Sequence, residues 1–262
     1  MKARKIFCVV IAACLLFGFS ACKKEGQVEI KGVADLDGKK IGVQAGTTGE
    51  MWVEENVKDV KLSSFKSGID ASLDLLNGSI DAVVLDELPA TEIVKRNSKL
   101  KIVRDPTFTQ NKEEYAIAIK KGNTELVDAI NSTINLMKEN GEYEALINVF
   151  MPIEGEIVVP ASENVSGNSV IKMGTNAAFP PFEYVEGNKV VGFDVTIGEK
   201  IATSMGKTLQ IEDMDFDSLI PALQSGTIDF IIAGMSVTEE RKQNVDFSVP
   251  YYASEQVIIV RK

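Results

Sequence analysis

Leu75-Leu76-Asn77-Gly78-Ser79-Ile80-Asp81 and Leu223-Gln224-Ser225-Gly226-Thr227-Ile228-Asp229 follow one pattern. In each, apolar residues at helical spacing run into a glycine, the residue best suited to close a helix in the left-handed conformation. An isoleucine then opens the next segment. Working outward, Ile69 to Leu76 has helical spacing and Ile80 to Leu85 reads as a buried strand. Ser218 to Leu223 is helical in the same way, and Ile228 to Ile232 is its strand. Upstream of each copy lies a further β-like run, Lys40 to Val43 and Val170 to Gly174. Strands alternating with helices predict an α/β fold with mainly parallel sheets and right-handed crossovers. Two such copies, about 150 residues apart, predict two lobes of similar build.

Between the copies the character changes. Asn123 to Phe150 is helical, with Leu126, Ala129, Ile130, Ile134 and Met137 on one stripe. Met151 to Ser169 holds two prolines and few periodic apolar residues, and reads as a linker.

The first residues address the compartment. Lys2, Arg4 and Lys5 precede a short apolar run from Ile6 to Phe19, the layout of a secretory signal peptide. Cys8, Cys14 and Cys22 are the three cysteines of the chain. Phe19-Ser20-Ala21-Cys22 resembles a lipoprotein signal box, so Cys22 is the expected lipid attachment site. Removing that leader removes three basic residues and no acid, deepening a net charge that is already −10. Such a surface repels nucleic acid and anionic lipid. The absence of histidine excludes histidine-dependent catalysis and the usual zinc sites, and the lack of thiols past Cys22 excludes a cysteine nucleophile. No cofactor, metal or catalytic residue is expected.

Several longer stretches carry a family likeness. They are Gly174-Thr175-Asn176-Ala177-Ala178-Phe179-Pro180-Pro181-Phe182-Glu183-Tyr184 with Val191-Gly192-Phe193-Asp194-Val195, and Ala233-Gly234-Met235-Ser236-Val237-Thr238-Glu239-Glu240-Arg241 with Val245-Asp246-Phe247-Ser248. They resemble the extracytoplasmic solute-binding proteins for polar amino acids, family 3. The resemblance implies a two-lobed, type II periplasmic-binding-protein-like α/β fold. The order of the motifs is reversed, since Asp35 to Val43 resembles a segment that follows them in that family. A circular permutant is therefore expected. Its divisions are a signal peptide 1–21, a tether 22–32, a lobe 33–118 carrying Asp86 and closing helices 119–150 of the other lobe. A permutation linker 151–169 and the Arg241 lobe 170–262 follow, the latter ending in a hinge strand at Gln256 to Arg261. Glu114 to Lys120 is the other crossing.

A free amino acid needs a cation for its carboxylate and an acid for its ammonium. Arg241, whose guanidinium can make two parallel bonds, is the candidate for the carboxylate. Ser236-Val237-Thr238-Glu239 has the capping-box pattern that starts a helix there. Asp86 follows the strand Ile80 to Leu85, at the strand end where open α/β sheets take ligands; read alone, such a residue is more often a plain helix N-cap. Gly46-Thr47-Thr48-Gly49 would open a helix whose free N–H groups suit an anion. The resemblance assigns ligand contacts to Thr47, Thr48, Ser236, Ala233 and Gly234, flanking rings to Phe179 and Phe216, and side-chain contacts to Gln44, Leu85 and Asn176. The amide at Asn176, where family members for cationic side chains often carry an acid, favours a neutral polar amino acid such as glutamine.

The implied function is capture of a free amino acid by lobe closure and delivery to an ABC permease, by a lipid-anchored monomer facing the periplasm or cell exterior. A sensory module for a signalling receptor and a dehydratase-type enzyme on the same fold are the alternatives.

Overall fold

In the computed structural model, residues 29–110 and 112–262 are described. The expected signal peptide, Cys22 and most of the expected tether lie outside them. Among the described residues no helix is long and apolar enough to cross a membrane.

The strands form two five-stranded sheets, one per lobe. The Asp86 lobe has the order Lys61–Phe65, Lys40–Gln44, Ala82–Asp86, Gln256–Arg261, Leu100–Val103. The Arg241 lobe has the order Thr208–Asp213, Val170–Thr175, Phe230–Ile231, Ala118–Lys120, Val245–Phe247. The neighbours on the first-copy and second-copy side pair in parallel, as alternating strands and helices require.

One strand in each sheet comes from the other half of the chain, and each runs antiparallel to its neighbours. Gln256–Arg261, expected as a hinge strand ending the Arg241 lobe, lies well inside the sheet of the Asp86 lobe. The reason is its composition. Val257, Ile258, Ile259 and Val260 are all buried, so both faces of this strand need cover, and only a central position supplies it. Each fully buried aliphatic side chain there contributes roughly 1.5–3 kcal/mol. Immediately before this strand, Tyr252–Ser254 pairs antiparallel with Glu113–Tyr115. These two segments are where the chain passes between lobes.

The twin patterns fold alike. Gly68–Asn77 is capped by Ser67, whose hydroxyl accepts from Asp70 N, and closes on Gly78 at φ 78°. Leu219–Ser225 closes on Gly226 at φ 78°. That left-handed geometry is one a side chain would disfavour. The long helical stretch is two helices, Thr124–Glu139 and Glu142–Phe150, broken at Gly141 with φ 84°. Leu126, Ile130, Ile134 and Met137 of the expected stripe are buried. Tyr143 and Phe150 pack edge-on against Phe193 of Phe193–Ser204, which closes the Arg241 lobe. Residues 151–168 have no regular structure. They are laced to that lobe by paired bonds between Asn164 and the Leu209 backbone, each 2.9 Å.

Candidate functional site

Strand ends from both sheets converge on a small buried cavity of about 10 Å³ between the lobes. Eleven of the twelve residues expected at the ligand line it. Gln44, Thr47, Thr48 and Asp86 come from one lobe; Asn176, Phe179, Phe216, Ala233, Gly234, Ser236 and Arg241 come from the other. Leu85 is buried nearby but does not line the cavity.

Arg241 is 5 % exposed. Its helix, Glu239–Asn244, is capped by Thr238, whose hydroxyl accepts from Arg241 N at 3.1 Å. The expected capping box starting at Ser236 is therefore displaced by two residues. Ser236 sits in the cleft instead, with its carbonyl accepting from Arg241 Nη1 at 2.6 Å. Arg241 Nη2 crosses the cleft and donates to Gly46 O at 2.9 Å, while the guanidinium lies 5.4 Å over the Phe216 ring.

Asp86 is the N-cap residue of Glu87–Arg96, yet its side chain makes no capping bond. Its carboxylate accepts from Tyr115 OH at 2.5 Å and from Ser254 Oγ at 3.3 Å. Burial, and then the charge of Glu113, push Asp86 up to about 7. An acid spared from capping and starved of water is poised for a cation.

The loop before Thr48–Asn56 divides its labour. Thr47 is spent locally, accepting from Glu50 N and donating to Gln44 O. Thr48 Oγ1 donates across the site to Glu113 Oε2 at 2.6 Å, and the Ser236 hydroxyl donates to the same oxygen. Gln44 Nε2 meets Asn176 Oδ1 across the cleft at 2.9 Å, and Asn176 Nδ2 is anchored on Met214 O at 2.8 Å. Gly234 has φ 53°, and a Cβ there would come within 2.6 Å of the Phe179 ring. Its N–H points away from the cavity, to Asp194 at 2.9 Å.

Two acids went unnoticed in the sequence. Glu113 lies on the crossing segment and joins the hydroxyls of both lobes, with Gln256 Nε2 at 3.1 Å on its other oxygen. Glu183, within Pro181-Phe182-Glu183, lines the cavity fully buried. Each opens a strand of only three or four residues, Glu113–Tyr115 and Glu183–Glu186, too short to carry a periodic signal. Among the described residues no group of acids is arranged to hold a metal.

Two α/β lobes, joined by paired crossings, close on a buried cavity with an arginine on one side and an aspartate on the other. Residues 171–262 match the family described as bacterial extracellular solute-binding proteins, family 3. The architecture is the two-lobed α/β arrangement expected from the resemblance. The arginine-binding extracellular protein ArtP of Bacillus subtilis (strain 168) is 45% identical over 101 residues, 38% of this chain and 40% of that protein. The L-cystine-binding protein TcyJ of Escherichia coli (strain K12) is 36% identical over 124 residues, 47% of this chain and 46% of that protein. A solved substrate-binding protein of an amino acid ABC transporter is 57% identical, covering 29% of this chain and 35% of that one with a TM-score of 0.28. The chain thus spans less than half the length of the curated relatives it matches.

Proposed function

We propose that the protein captures a free amino acid by lobe closure and hands it to a membrane permease of the ABC type. The observation that carries this reading is the placement of Arg241 and Asp86. Both are buried, they stand on opposite lobes, and both face one cavity. The ligand carboxylate takes Arg241 together with Thr48 and Ser236, whose hydroxyls turn to it from Glu113; the ligand ammonium takes Asp86 and the Ala233 carbonyl. A ligand bridging the two lobes stabilises the closed form because it has these contacts only there. Phe179 and Phe216 supply the apolar walls.

Export through the leader and lipid attachment at Cys22 complete the proposal, with a monomer outside the cytoplasm delivering cargo and performing no reaction of its own. The reversed order of motifs supports a circular permutant with 151–169 as the joining linker. The amide at Asn176 speaks for a neutral side chain such as glutamine, whereas the acids around the cavity speak for a cationic one. Relatives named for arginine and for cystine show that side-chain preference varies around such sites.

The test is thermal shift of the leaderless protein against the twenty amino acids. A specific ligand at several hundred to a thousand times its dissociation constant stabilises by roughly 3 to 4 kcal/mol. Arg241→Ala should abolish that shift. Full affinity in the variant would remove Arg241 from the role, and no shift with any amino acid would remove the reading.

A further inference from the structure

The two hydroxyls assigned to the ligand carboxylate are both engaged by a side chain of the protein itself. Thr48 Oγ1, from the Asp86 lobe, donates to Glu113 Oε2 at 2.6 Å, and Ser236 Oγ, from the Arg241 lobe, donates to the same oxygen. The other oxygen accepts from Gln256 Nε2 at 3.1 Å. One carboxylate therefore bridges the lobes. Burial lowers Arg241, and the charge of Glu113 is the first among its neighbours to oppose that. Two hydroxyls on facing lobes, with a guanidinium beside them, form the donor set that suits the carboxylate of an amino acid. Glu113 brings the same chemical group on a tether of the chain.

The space between the lobes agrees. A cavity of about 10 Å³ has room for about one water, far less than an amino acid needs. The lobes meet around Glu113, with Gln44 on Asn176 and Arg241 Nη2 on Gly46 O across the cleft. Glu113 is also free to leave. It is half-buried, it opens a strand of three residues, and the exposed Lys112 and Glu114 stand on either side of it. A change of rotamer takes its carboxylate towards solvent while Glu113–Tyr115 stays paired with Tyr252–Ser254.

We propose that Glu113 is an internal stand-in for the ligand carboxylate, a latch seated on Thr48 and Ser236 that an amino acid must displace in order to bind. The inference rests on the amino-acid-binding reading above and adds to it a competitor carried by the chain. An incoming ligand exchanges one carboxylate for another at these hydroxyls, so its gain there is offset by the bonds that Glu113 gives up. Apparent affinity scales with the fraction of molecules whose seat is free, and a latch closed in about nine-tenths of them lowers it about tenfold.

Glu113→Ala tests this in the leaderless protein at about pH 8, where Asp86 is mostly ionised. Acetate, a carboxylate without an ammonium, should raise the melting temperature of the variant and leave that of the unaltered protein unmoved, with chloride as the ionic-strength control. In calorimetry with arginine and with glutamine, whichever binds the unaltered protein should bind the variant about tenfold more tightly. Weaker binding by the variant would overturn the proposal and make Glu113 a direct partner of the ligand. Unchanged affinity would overturn it too, as would an acetate effect missing from the variant or equal in both proteins. Should Glu113→Ala fail to fold, Glu113→Gln keeps the size and loses the charge; a smaller gain in affinity is then expected, and no gain overturns the latch. If no amino acid binds either protein, the capture reading fails, and the acetate arm alone decides whether Glu113 fills a carboxylate seat.

Discussion

At the scale of single residues, the cleft is governed by which acids keep their protons. Asp86 ionises near 7 because it is buried and because Glu113 is close. A ligand ammonium needs the ionised form, so affinity should fall as pH drops through about 7. Calorimetric titrations between about pH 5 and about pH 8 check this. Glu113→Gln removes the second cause of the shift, and the loss of affinity should then begin at a lower pH. An unmoved profile would show that Glu113 does not act on Asp86. Asp86→Asn should weaken binding at every pH, since it leaves the ammonium without its counter-charge.

At the scale of elements, the six-residue helix that carries Arg241 depends on its cap. Thr238→Ala removes the one side-chain bond to its first turn, and should cost about 1 kcal/mol in urea unfolding. It should also weaken ligand binding, because the helix start fixes where the guanidinium begins. The strand Gln256–Arg261 matters in a different way. Ile259 is fully buried between Ala82–Asp86 and Leu100–Val103. Ile259→Ala should destabilise by about 2–5 kcal/mol, the range for a core cavity of this kind. The twin helix ends at Gly78 and Gly226 were legible in the sequence because their signal is local. The capping threonine was misplaced by two residues because Ser236 and Thr238 offer equivalent hydroxyls, and only packing in the cleft decides between them.

For the molecule as a whole, the buried acids set an unusual dependence of stability on pH. Asp86 is raised from 3.8 to about 7, and Asp194 from 3.8 to about 6, each chiefly by burial; Glu183 is raised well above its usual 4.5 for the same reason. Between these values the folded protein holds protons that the unfolded chain has released. Stability of the ligand-free protein therefore falls as pH rises through this window, and the melting temperature should be higher at about pH 5 than at about pH 8. Asp105 and Asp246 are lowered, but their contribution is lost only below the ordinary carboxylate range. The closed arrangement is held by direct contacts across the cleft: Gln44 to Asn176, Arg241 to Gly46, and Lys66 to Asp215 at the rim. The last pair is largely exposed and contributes little, so Lys66→Ala should leave the melting temperature nearly unchanged.

The sequence by itself determined the two α/β units, their glycine-closed helices and the strand ends where Asp86 and Arg241 stand, because periodicity and helix capping act over a few residues. It also carried eleven of the twelve cavity-lining positions through family likeness. Tertiary structure alone decided that Gln256–Arg261 crosses into the other sheet, since burial on both faces is a property of the assembled strands. It alone brought Glu113 and Glu183 to the cavity. Their charges become consequential only where neighbours from distant parts of the chain remove the water around them.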